Sequence, residues 1–91
     1  MENTIPNLDG MTREDLMEFW KKYHRASRKN AEALIGDRRP GFTNIAVTLA
    51  NYACNKAVAM RCREEGDIPA ATIYEHSADL CYQRLPADLR W

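Results

Sequence analysis

Between Lys21 and Arg39 the stretch KKYHRASRKNAEALIGDRR carries seven lysines and arginines against two acids, Glu32 and Asp37. Closely spaced fixed cations do one kind of chemistry well: they neutralise phosphate oxygens and release the counterions that cover them. At 100° per residue Lys21, Lys22, Arg25, Arg28 and Lys29 fall on one helical arc about 120° wide. Arg38 and Arg39 would extend it. Glu14, Glu18 and Glu32 lie on the same arc, and Glu18 precedes Lys22 at the i,i+4 spacing that supports an exposed helix. Cations late in a helix also complement its dipole. The arc reads either as a solvated face or as an anion-binding surface.

A second set of residues is polar without charge. Asn44, Thr48, Asn51 and Asn55 recur at helical spacing on a strip about 60° wide, although asparagine is a mediocre helix former. Amide side chains at such spacing could read adenine edges in a major groove, with Arg38 and Arg39 on phosphates. They could equally form a hydrogen-bonded seam with Ser27 and Asn30, or a plain exposed strip.

Other chemistry finds no foothold. His24 and His76 stand on different predicted helices, with no HExxH, CxxC or GxGxxG pattern and no phosphate loop. Ser27 and Ser77 lack the arrangement of a nucleophile with its base. The expectation is a protein that is not an enzyme and takes no cofactor or metal. Cys54 and Cys62 are eight residues apart on one predicted helix, about 12 Å along its axis, too far for a disulfide. With Cys81 they make an odd number of thiols, which points to a reduced, cytoplasmic setting. No apolar run is long enough to span a bilayer, and MENTIPNLDG lacks the basic and apolar regions of a secretory signal. Thirteen basic and thirteen acidic side chains cancel, so no global field favours nucleic acid or acidic membranes.

The elements that must position these residues are helices. The 91 residues suit a single domain with one modest core, and no segment alternates as a strand would. The first helix is expected over about 12–35, with Thr12 as N-cap, Asp15 three residues on and Met11 stapled onto Leu16. Leu16, Phe19, Trp20, Tyr23, Ser27, Asn30 and Leu34 would share its inner arc, and Gly36 would end it. The second is expected over about 44–65, capped by Thr43. Ile45, Leu49, Tyr52, Ala53 and Met60 line one side of it, and Val47, Cys54 and Val58 line nearly the opposite one. A helix apolar on two sides is covered on two sides, so this one is central. The third, about 68–85, starts at the Asp67 cap with Pro69 in its first turn. It turns Ala71, Tyr74, Ala78, Cys81, Tyr82 and Leu85 inward. Residues 1–10 read as a flexible or loosely packed lead, and the tail from Pro86 folds back. The fold class is all-α: a compact bundle of three antiparallel helices.

Ala59, Gly66-Asp67, Ala71 and Ala78 have spacings that resemble a tetratricopeptide helical hairpin, in which small residues let two antiparallel helices approach closely. The resemblance covers about residues 55–86. Asn55, Cys62 and Glu75 stand where that motif favours large aromatic side chains, and residues 1–54 do not repeat it. A solenoid needs about three stacked units, so the segment reads as the corner of a bundle. Within that hairpin Lys56 interrupts an apolar face. Its ammonium must find Glu75 or Asp79, or lay its stem on apolar neighbours and reach water.

Ile73 and Leu80 are a heptad apart and offset about 120° from the inner stripe of their helix. They either touch the first helix or form a seam to a second subunit. Together with Leu89 and Trp91 they are apolar positions beyond what three helices can readily cover. The functional expectation is a small helical protein that binds itself or another protein, as a homodimer in the first case. The alternative is a nucleic-acid-associated module using the basic arc with Arg38 and Arg39.

Overall fold

Phe42–Glu64 forms one uninterrupted helix of 23 residues, α3, and the other described helices pack on it. The computed structural model describes residues 7–36 and 40–91. At 1.5 Å per residue α3 is about 35 Å long, most of the 42 Å long axis of the molecule. Its buried residues, Phe42, Ala46, Leu49, Ala50, Tyr52, Ala53, Ala57 and Ala59, leave no single apolar stripe. Five are alanines, which bring neighbouring backbones close. α1 (Arg13–Tyr23), α2 (Arg28–Ile35) and α4 (Ile68–Gln83) all pack against it. The two-sided pattern of the second predicted helix therefore marks the central helix, as expected. Short 3-10 turns at Leu8–Gly10 and Ala87–Leu89 precede α1 and follow α4. The described residues are all-helical, without strands.

Among the described residues four helices replace the expected three. The segment 12–35 is broken between Tyr23 and Arg28. His24 places Nδ1 2.9 Å from the Trp20 carbonyl oxygen and stacks its ring on the Trp20 indole. Three residues on, the Ser27 hydroxyl accepts a hydrogen bond from the Asn30 amide and starts a new helix. Local side-chain bonds of this kind compete with helix continuation. The break changes which residues face inward. Leu16, Phe19 and Tyr23 are buried as the stripe predicts, but Ser27 and Asn30 are exposed, and α2 buries Ala31, Leu34 and Ile35.

Most other helix ends follow their chemistry. Thr12 accepts from the Asp15 amide, Asp67 accepts from the Ala70 amide, and Gly36 closes α2 at φ 75°. α3 departs from expectation: it opens at Phe42, one residue before Thr43, with Gly41 at φ 84° as a cap without a side-chain bond. Burial of the Phe42 ring, with the Arg28 guanidinium 5.6 Å from its centroid, outweighs the cap bond that Thr43 would make. Of the lead, residues 1–6 lie outside the described residues; at 7–10 Leu8 is fully buried in the core, while Asn7, Asp9 and Gly10 are exposed.

Candidate interaction surface

α4 divides its side chains cleanly. Ala71, Ala78 and Cys81 are buried, as is Leu85 just past the helix end. On the opposite side Pro69, Ile73, His76, Leu80 and Gln83 are all exposed, at alternating spacings of four and three residues. That alternation has the 3.5-residue period on which seams between helices are built. Ile73 is 65% exposed and Leu80 44%. A β-branched and a γ-branched aliphatic side chain one heptad apart, both bare, form the apolar part of this ridge. Asp79 and Arg84 are exposed on its two flanks, and Gln83 Nε2 donates to Asp79 Oδ2 at 2.8 Å.

The other two residues expected at an interface lie elsewhere. Leu89 is buried, and Trp91 is half-buried against Tyr52 and Tyr82. The tail packs back on the core, and that packing removes Leu89 and Trp91 from the exposed apolar surface. The Trp91 indole meets both tyrosine rings edge to face, 4.9 Å from Tyr82 and 5.3 Å from Tyr52, while the two tyrosine rings tilt at 47° to each other. Asp9 ties this cluster to the N-terminal turn. Its carboxylate accepts from the Tyr52 hydroxyl and from Trp91 Nε1, the latter at 2.9 Å, and the Lys56 ammonium lies 3.9 Å away. Partial burial pushes the Asp9 carboxyl upward, but the two donors and Lys56 outweigh it and hold it below its ordinary value. Burial first, then the hydrogen bond to Asp9 and its charge, push the Tyr52 phenol well upward, so Tyr52 remains a donor. The Tyr82 hydroxyl donates to the Trp91 carbonyl oxygen, and Arg90 Nη2 donates to the Gln83 carbonyl oxygen at 2.6 Å.

Lys56 thus takes Asp9, with its ammonium 5.8 Å from the Tyr52 ring centroid. Of the two carboxylates expected for it, Glu75 instead receives the Arg63 guanidinium in a two-point pair, with Nη2 to Oε2 at 3.0 Å, and Asp79 accepts from Gln83. The hydrogen bond from Arg63 is the main cause that holds the Glu75 carboxyl below its usual range.

The basic residues do not share one helix. Lys21 and Lys22 end α1, Arg25 lies in the turn, and Arg28 and Lys29 open α2; all are exposed. Lys21 lies 3.6 Å from Glu18, and Arg28 3.5 Å from Glu32. A broad cleft of about 780 Å³ between α1 and α2 has Phe19, Tyr23 and Leu34 in its lining and brings Lys21 and Lys22 to its edge beside Glu18. Arg38 and Arg39 lie outside the described residues. The polar strip spends part of its capacity on its own helix. Thr48 Oγ1 donates to the Asn44 carbonyl at 2.9 Å, and Asn55 Nδ2 donates to the Asn51 carbonyl at 3.0 Å. Asn44 and Asn51 are exposed, while Thr48 and Asn55 are half-buried, with Asn55 Nδ2 3.9 Å from the Cys81 sulfur.

Among the described residues no three His, Cys, Asp or Glu side chains gather as a metal site requires, and no helix is long and apolar enough to cross a membrane. No family model, curated protein or solved structure matches this chain. The residue that sequence reasoning passed over is Asp9. Its only local signal is the Asn7 side chain accepting from the Asp9 amide at 2.9 Å; its other partners come from residues 52, 56 and 91.

Proposed function

We propose that this is a small non-enzymatic helical protein of the cytoplasm that acts by binding, with the outer ridge of α4 as the surface that meets a partner helix. The exposure of Ile73 and Leu80 at heptad spacing carries this reading. Two bare aliphatic side chains on the outer face of a helix already fixed by its inner face offer apolar area to a partner without any cost of forming the helix. Cys54, Cys62 and Cys81 as free thiols suit a reducing compartment. The nucleic-acid reading has weaker support, because its five described cations are split between two helices and a turn and two of them sit beside glutamates.

The test is capture from cells that express the protein, using the unmodified chain, an Ile73→Glu/Leu80→Glu variant and an Arg25→Gln/Lys29→Gln variant. Proteins retained by the unmodified chain and by the arginine-lysine variant, but lost by the ridge variant, are the expected result, with little change between low and physiological salt. Nucleic acid retained by the unmodified chain, lost by the arginine-lysine variant and falling steeply with salt, would replace this reading with the alternative.

A further inference from the structure

We infer that the partner helix on this ridge is α4 of a second copy of the chain, laid parallel to the first across a two-fold axis. The inference rests on the binding role of the ridge and adds its occupant and orientation. Ile73, His76, Leu80 and Gln83 provide successive seam positions, so in a parallel pair each meets its own counterpart. The flanks decide the direction. Viewed down the helix, residues 72 and 79 lie on one side of the seam and residues 77 and 84 on the other. In a parallel pair a flank residue faces the residue five positions on in its neighbour, which sets Asp79 of one copy beside Arg84 of the other, twice by symmetry. In an antiparallel pair Asp79 faces Thr72 and Arg84 faces Ser77, and both charges go unmatched. The chain also has no net charge to drive two copies apart. A seam of about two heptads is short, so the dimer is a weak one that forms with rising concentration.

Sedimentation equilibrium from about 10 µM to about 1 mM should show a monomer–dimer equilibrium for the unmodified chain. Leu80→Glu should abolish it. Asp79→Arg and Arg84→Asp should each weaken it about tenfold, the double variant should recover it, and an equimolar mixture of the two single variants should associate more tightly than either alone. Circular dichroism confirms that each variant is folded. Independently, Gln83→Cys should give a chain that mild oxidation joins through its two introduced thiols. In an antiparallel pair those positions would stand about 15 Å apart along the axis. A monomer at every concentration, a dimer indifferent to Leu80→Glu, or charge reversals without rescue would overturn the inference. A monomer that still captures another protein through Ile73 and Leu80 would overturn it and leave the binding role standing.

Discussion

Leu49 is fully buried against its neighbours, while Tyr74 keeps 38% of its surface in solvent. Spacing alone places both on inner faces. Deleting most of the Leu49 side chain removes buried area and leaves a cavity, so Leu49→Ala should cost about 2–4 kcal/mol. Tyr74→Ala should cost about 1 kcal/mol or less, since more than a third of the Tyr74 surface already meets water. Guanidinium midpoints of the two variants, measured side by side, separate these outcomes. Tyr74 stands near the start of α4, two turns before the cluster that covers Tyr82. Position along the helix, which periodicity does not register, decides how much of a stripe is covered.

At the scale of elements the α1–α2 break should be separable from the core. Ser27→Ala removes the side-chain acceptor for the Asn30 amide and should cost about 1 kcal/mol, read from thermal or denaturant midpoints. A midpoint unchanged by Ser27→Ala would mean that packing of Ala31, Leu34 and Ile35 alone fixes α2. The break was hard to read from sequence for a physical reason. Helix starts favour acids in the first turn, yet α2 opens with Arg28 and Lys29 and has no acid there. A projection through residues 12–35 therefore meets no stop and joins two helices into one. By contrast, Asp67 and Pro69 after Gly66 carry conventional start and stop chemistry, and the α3–α4 hairpin was legible. The central place of α3 was legible too, from its two-sided apolar pattern. The exposed Ile73–Leu80 pair could be marked as surplus from its offset. Leu8 could not be found, because a lone leucine in an irregular segment has no period. Its burial arises only when the turn that carries it docks on helices distant in sequence.

For the whole molecule, acid should act in part through Asp9. Its carboxyl is held below the ordinary value by Tyr52, Trp91 and Lys56. A carboxylate lowered in the folded state stabilises fully above its unfolded value of about 4 and loses that contribution as pH falls through the lower folded value. Asp9→Asn should therefore lower stability by about 1 kcal/mol at pH 7, an effect kept modest because the Asp9 side chain is 49% exposed. The gap from the unmodified protein should begin to narrow below about pH 4 and close as pH falls through the lower folded value. A gap that does not narrow at all as pH falls below about 4 would mean the amide disturbs packing and not charge.

The same carboxylate joins segments 82 positions apart, through its bond to Trp91. Two short turns at opposite ends of the described chain, each marginal alone, thereby share one fastening. Amide exchange should report this as synchrony: the protected Met11 and Leu89 amides should open at one common rate, and Trp91→Ala should release the distant Met11 amide as well as its neighbour.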